Sequence, residues 1–444
     1  MPSLWDPSFL KWFYPGMRIK RWLILLLLGV TILGLGFGYF LREVYLSYTF
    51  PSSVYYITLQ FLPRFVRGAL FTGISLGFIL FAVWRLNQSL LSALMPSRQE
   101  NMVEIIYGQR LLRRGVKVVA IGGGTGLSTL LRGLKEYTSN ITAIVTVADD
   151  GGSSGRLRQQ LGILPPGDVR NCIVALADAE PLVTKLFQYR FSHGSGLEGH
   201  SFGNLFIVAM RGVVGNFEEA IKETSRVLLV RGQILPSTLS DVTLVAETED
   251  GTVYGESSIT ERGGPLKRVY LEPRNAQAHP AAISAIMSAD LIVVGPGSLY
   301  TSVLPNLLVE GIRQAVAIAP AMKVYICNVA GQQGETEGFT VADHVRVLEE
   351  HVGRNLFHSV LANNSFHCWR QARSYRPVPL GTLRGPKLVV DDVVDEDRPY
   401  HHDPKKLAQA ILRLYSQRDR YQPLAPVPDA EELALTSPPE GPIL

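Results

Sequence analysis

VVAIGGGTGLSTLLRGL, residues 118–134, passes from a β-branched run through Gly122, Gly123, Gly124, Thr125 and Gly126 into leucines at helical spacing. A short apolar run of this kind reads as a buried strand, and the segment after the glycines reads as a helix packed on it. Glycines let backbone N–H groups approach an anion, and a helix N-terminus adds about half a positive charge. Phosphate suits that arrangement. The loop is not a Walker A loop, because Lys is missing from the required position, and Leu127 replaces the third glycine of G-x-G-x-x-G. An NAD-dependent oxidoreductase is correspondingly disfavoured.

Runs of the same kind recur as VKVVAI (116–121), ITAIVTV (141–147), DLIVVG (290–295) and KVYICN (323–328). Amphipathic stretches over 127–137, 169–177, 217–230, 278–289 and 341–351 alternate with them, which predicts an α/β fold with a parallel sheet and helices on both faces. Asp250-Gly251 between the alternating runs of 242–257 predicts a small antiparallel insertion. The soluble domain is placed at 116–420, with a linker over 95–115 and a disordered Pro-rich tail over 421–444.

Chemistry concentrates at the ends of these runs. After the second come Asp149, Asp150, Gly151, Gly152, Ser153, Ser154 and Arg156. The two carboxylates suit ribose hydroxyls or a hard divalent cation, and the arginine suits a phosphate or carboxylate. In Pro165-Pro166-Gly167, followed by Asp168, Arg170 and Asn171, the aspartate serves equally as an N-cap. Gly199-His200-Ser201-Phe202-Gly203-Asn204 offers His200 as an acid, base or phosphate donor, although a single histidine is more often structural. A second strand–loop–helix unit supplies Gly295, Gly297, Ser298, Tyr300 and Thr301, and Asn328 ends a further strand. Open α/β sheets bind ligands at such strand ends. No nucleophile–His–acid order, HExxH or Cys/His metal spacing is present.

The 444 residues are 46% hydrophobic and 18% charged, with mean hydropathy +0.14. That is slightly apolar for an ordinary soluble protein, so part of the chain is expected in lipid. Residues 22–41 form an uncharged run of 20, the length about 30 Å of hydrocarbon requires, and residues 68–84 form a second of 17. The first exceeds the ~7–15 residues of a signal-peptide core and ends at Phe40-Leu41-Arg42 rather than at small residues, so it reads as an anchor. Two transmembrane helices within an N-terminal region over 1–94 are therefore expected. Lys and Arg number four before the runs, three between them and six over residues 85–117, which puts both ends in the cytoplasm and predicts a multi-pass membrane protein. A net charge of +4 is far from that of a nucleic-acid-coating protein. Three cysteines without a CxxC pair exclude a disulfide framework.

Taken together, GGGTG (122–126), DDGGSSG (149–155), PPGDVRN (165–171), GHSFGNL (199–205), GPGSLYTSVLPNLLV (295–309) and YICN…QGETEGF (325–339) resemble the bacterial gluconeogenesis factor family, the YvcK-like proteins. These are related to the 2-phospho-L-lactate transferases of deazaflavin-coenzyme synthesis. The resemblance spans about 116–404 and implies a Rossmann-like fold that binds UDP-sugars such as UDP-N-acetylglucosamine. It implies a role in cell shape and envelope synthesis during gluconeogenic growth. By similarity, residues 122–126 hold the diphosphate, Asp149 and Asp150 lie at the ribose or metal position, and Asn204, Ser298, Tyr300 and Thr301 line the same cleft. No cofactor is required, with Mg²⁺ the one candidate. Expected partners are the UDP-sugar, the bilayer and envelope-synthesis proteins, in a homo-oligomer without nucleic acid. A Mg²⁺-dependent phospho-group transferase is the alternative to a non-catalytic sensor, because in-line transfer needs positioning and a metal rather than a nucleophile. Where many family members have Arg-His-Asp-Pro, this chain has His401-His402-Asp403-Pro404, which makes a permanent charge titratable.

Overall fold

All four β-branched runs are strands in the computed structural model, which describes residues 20–48, 51–94, 111–179, 181–367 and 375–418. Most of the expected linker and the whole expected tail lie outside these residues. The chain divides into two units, Met1–Leu111 and Leu112–Leu444.

The first unit holds helices Lys20–Ser47, Ser52–Ile57 and Arg64–Leu94. Among the described residues one segment, Leu27–Ser47, is long and apolar enough to cross a membrane, and none of its apolar window is buried. The expectation of two such spans is corrected to one. The second run is helical, but Arg67 and Arg85 bound it at 17 uncharged residues, short of the ~20 that hydrocarbon takes.

Ten strands are described in the second unit: β1 (Val118–Gly122), β2 (Ile141–Val145), β3 (Gln233–Pro236), β4 (Thr243–Thr248), β5 (Gly251–Tyr254), β6 (Arg268–Glu272), β7 (Leu291–Val294), β8 (Met322–Ile326), β9 (Ser359–Asn363) and β10 (Lys387–Asp391). Seven make a parallel sheet in the order β10-β9-β8-β7-β1-β2-β3, with Val118 in register with Ile141 on one side and Leu291 on the other. Every residue of β1, β7, β8 and β9 is buried, as helices on both faces require. The expected antiparallel insertion is the sheet β5-β4-β6, in which Gly251 pairs with Thr248 and leaves Glu249 and Asp250 as the turn.

From β1 the chain builds outward through β2 and β3, then returns to add β7, β8, β9 and β10 on the opposite side. The strand order therefore reverses between β1 and β7, the point where open α/β sheets form a crevice. Helix Gly124–Leu134 leaves the end of β1 and buries Leu127, Leu130, Leu131 and Leu134, the i, i+3, i+4, i+7 pattern of one helix face. Each such leucine stabilises the fold by about 1.5–3 kcal/mol. Helix Pro404–Ser416 packs on it so closely that a Cβ on Gly133 would lie 1.9 Å from the Pro404 carbonyl oxygen. Asp403 caps this helix by accepting from the Lys406 N–H at 2.7 Å, which holds the preceding Tyr400, His401 and His402 near the crevice.

Candidate functional site

The ends of β1 and β7 border a cleft of about 550 Å³. Gly123 to Gly126 form one wall; Gly297, Ser298, Asn328 and Gln332 form another. A Cβ on Gly126 would stand 2.5 Å from the Pro296 carbonyl oxygen, and one on Gly123 would stand 2.6 Å from Asp168 Oδ2. Glycine at both positions is what lets the loops close on each other. Gly124 has φ +63°, a left-handed conformation in which a side chain is strained. The Gly297 N–H donates to Asn328 Oδ1 at 3.1 Å and Asn328 Nδ2 donates back to the Gly297 carbonyl at 2.8 Å, which ties the β7 and β8 ends together. Ser298 Oγ donates to Gln332 Oε1.

Gly122 ends β1, and its carbonyl accepts from Asn306 Nδ2 at 3.0 Å. Tyr300 and Thr301 lie on a π-helical turn, Leu299–Val303, and are both 2% exposed. The Tyr300 ring meets His351 edge-on at 6.2 Å, and burial pushes its phenol up to about 12. Thr301 Oγ1 donates to Glu335 Oε1 at 3.1 Å.

Beside the cleft stands a group of carboxyls. Asp149 accepts from the Gly151 N–H at 2.9 Å, yet burial raises its pKa. Asp150 Oδ1 accepts from the Ser257 N–H at 2.8 Å. Asp168 is pushed up to about 7, first by burial and then by the Asp149 charge, against the Gly124 N–H and Arg170. Glu335 also rises to about 7 through burial. Glu256, which lines the cleft, is pushed well above the carboxyl range by burial and by four neighbouring carboxylates, and its Oε2 has no partner. Among the described residues no three His, Cys, Asp or Glu converge as metal ligands.

The remaining expected residues gather elsewhere. Asn204 Nδ2 donates to Ser153 Oγ at 3.0 Å, and the same hydroxyl is hydrogen-bonded to His200 Nδ1, also at 3.0 Å. Burial, then Arg156 and Arg190, lower the His200 pKa. Ser201 caps helix Phe202–Val214 and accepts from Arg170, which also donates to Asn171 Oδ1 at 2.8 Å. Ser154 hydrogen-bonds Asp149, while Gly151 and Gly152 open helix Gly152–Leu161. None of Ser153, Arg156, Arg170, His200, Ser201 or Asn204 lines the 550 Å³ cleft. The structure thus separates the expected residues into a glycine-lined cleft, a carboxyl wall and an arginine–histidine cluster.

Glu256, Glu335, Gln332 and the aromatic end of the cleft escaped the sequence reading of the site. Tyr375 stacks on Tyr400 at 4.5 Å and 16°, and Tyr400 meets His401 at 4.6 Å. His402 is buried, which drives its pKa down to about 4, and its Nε2 has no partner. The 401–404 motif was the available signal for this end; no local pattern announces the two glutamates.

Residues 118–414 match the family described as 2-phospho-L-lactate transferase CofD. The gluconeogenesis factor of Bacillus subtilis is 49% identical over 312 residues, covering 68% of this chain and 98% of its own length. A Nostoc sp. protein provisionally given the same name is 47% identical over 426 residues, 92% of this chain and 93% of its own. A Bacillus halodurans protein of known crystal structure superposes with a TM-score of 0.64 at 48% identity, covering 67% of this chain and all of that one.

Proposed function

The chain belongs to the CofD family, among the gluconeogenesis factors, and from that premise we propose that its cleft binds a UDP-sugar, UDP-N-acetylglucosamine foremost, as a regulatory ligand. The observation that carries this reading is the glycine loop at the β1–β7 reversal, where backbone N–H groups and a helix N-terminus border a cleft of about 550 Å³. The loop supplies anion binding without a fixed cation among the described residues lining it. The Ser298 hydroxyl is hydrogen-bonded to Gln332 rather than to a base, which favours a sensor over a nucleophilic enzyme.

In this reading the protein couples UDP-sugar supply to cell shape and envelope synthesis during gluconeogenic growth. Its N-terminal region spans the bilayer through Leu27–Ser47 and holds the domain on the cytoplasmic face. Support comes from the apolar segment Leu27–Ser47 and from the Lys/Arg balance around it.

A phospho-group transferase is the second reading, and the carboxyl wall favours it. Mg²⁺ commonly uses one or two carboxylates and completes its shell with phosphate oxygens and water, so Asp149 or Asp150 would suffice once a diphosphate is bound. Equilibrium binding of UDP-N-acetylglucosamine and of NAD⁺ to the full chain in detergent, followed by a turnover assay with Mg²⁺, separates the readings. Micromolar UDP-sugar affinity without product supports the sensor. Product formation supports the transferase, and tight NAD⁺ binding without UDP-sugar binding refutes both.

A further inference from the structure

We infer that Arg156, Arg170 and Arg190 form a second anion site, separate from the glycine-lined cleft, that takes the phosphate group of a small second ligand. The three come from different elements: helix Gly152–Leu161, helix Gly167–Leu176, and the bridge in which Arg190 pairs with Ser201. They converge on one short segment, residues 198–201. Arg156 Nη2 donates to the Glu198 carbonyl at 2.7 Å, Arg190 Nη1 to the Gly199 carbonyl, and Arg170 Nη1 to Ser201 Oγ.

All three acceptors are neutral. Among the described residues none of the three arginines pairs with a carboxylate, whereas Arg158, two positions along the first helix, is paired with Asp241 at 2.6 Å. Burial and then Arg190 lower the Arg170 pKa, against the charges of Asp168 and Asp149, and burial and then Arg156 and Arg190 lower that of His200. Three guanidiniums gathered with no carboxylate in salt-bridge contact leave attraction for an anion, and guanidinium forks match the oxygens of phosphate. Arg170 Nε is buried and without a partner, an unspent donor in the same cluster.

Local backbone is shaped to admit these groups. Gly199 has φ +76°, and a Cβ there would lie 2.9 Å from Arg156 Nη2; a Cβ on Gly203 would lie 2.8 Å from Arg170 Cδ. The 13-residue helix Phe202–Val214 begins at the cluster and adds its N-terminal partial charge. Arg156 and Arg190 are exposed, so a solute reaches them, and none of the three lines the 550 Å³ cleft.

The test titrates inorganic phosphate into the full chain in detergent, with chloride replaced to hold ionic strength constant, and follows binding by calorimetry. Saturable binding is expected in the natural protein, with at least a tenfold loss in Arg190→Gln and a further loss on adding Arg156→Gln. UDP-N-acetylglucosamine affinity of Arg190→Gln is expected to be unchanged, and phosphate and the UDP-sugar are expected to bind together. No saturable phosphate binding, full retention in both variants, or direct competition between the two ligands overturns the inference. Absence of UDP-sugar binding alongside the expected phosphate results would refute the cleft reading and leave this one standing.

Discussion

Gly126→Ala tests whether the β1 and β7 loops are closed as tightly as the coordinates place them. At an open helical position this substitution stabilises by about 1 kcal/mol. Here the added Cβ would stand 2.5 Å from the Pro296 carbonyl oxygen, 2.8 Å from its carbonyl carbon and 3.0 Å from the Gly297 nitrogen. These are backbone atoms, so no rotamer change relieves the contact. Carbon–oxygen contact at about 3.3 Å requires the loops to part by roughly 0.8 Å. Overpacking costs about 1–3 kcal/mol, and a rigid backbone puts this case toward the upper end, which leaves a net loss of about 1–2 kcal/mol after the helix gain. Parting the loops also withdraws N–H groups from the cleft, so UDP-N-acetylglucosamine affinity should fall at least tenfold, about 1.4 kcal/mol. Urea denaturation and calorimetric binding read both effects. Gly212→Ala, on helix Phe202–Val214 with nothing within 4 Å of its Cβ, is the internal control and should stabilise. Equal stability of the two variants together with unimpaired ligand binding in Gly126→Ala would refute the reasoning.

Asp168→Asn should alter the pH profile of stability in one direction. The carboxyl titrates near 4 when unfolded and at about 7 when folded, so its stabilising proton is lost as pH rises through that window. Relative to the natural protein, the variant should gain stability from pH 4 to 7 and hold a constant difference outside it; a flat difference across the window refutes the raised value. Gly124→Val, which forces a β-branched residue to φ +63°, should abolish UDP-sugar binding while circular dichroism still reports a folded domain, and so should Asp150→Ala. Unchanged affinity in both would overturn the cleft assignment. Burial pushes the Glu256 carboxyl up, so Glu256→Gln, which resembles the neutral acid, should leave thermal stability at pH 7 near that of the natural protein; a large drop at pH 7 would overturn the raised value. Arginine at both Leu35 and Phe37, near the middle of Leu27–Ser47, should cost about 6–8 kcal/mol of insertion free energy. Retention of that variant in carbonate-washed membranes would argue against a span there.

How far the fold was legible depends on where each element buries its residues. β1, β2, β7 and β8 were visible because strands covered on both faces read as unbroken apolar runs. β3 is only QILP and ends in Pro236, and β10 lies at the sheet edge with Lys387 and Val390 exposed, so neither carries that signal. Helix Gly152–Leu161, GSSGRLRQQL, is absent from the expected helices because glycine and serine are poor helix formers. Tertiary contacts hold it instead: Ser153 joins His200 and Asn204, and Gly155 lies where a Cβ would meet the Asp150 carbonyl oxygen. The glycine loops were legible because their chemistry is local. Burial of Glu256 and Glu335 was not, since it arises from segments far apart in the chain.

The separation of charge across the site bears on what the cleft can hold. Among the described residues that line it, the only side chains able to become cationic are His401 and His402, and burial keeps the second neutral. The first is lowered by burial and by Arg398, so at neutral pH the positive potential comes from backbone N–H groups and the helix end. Asp168 accepts from the Gly124 N–H, a donor of the same loop that would meet a diphosphate. An ionised Asp168 and a diphosphate would therefore compete for one small field of donors. Its value of about 7 resolves the competition, because the carboxyl can take up a proton at little cost when a second negative charge arrives. On the proposed reading, a diphosphate entering the cleft would be coupled to proton uptake near pH 7, while the permanent cations, Arg156, Arg170 and Arg190, stay outside the cleft lining.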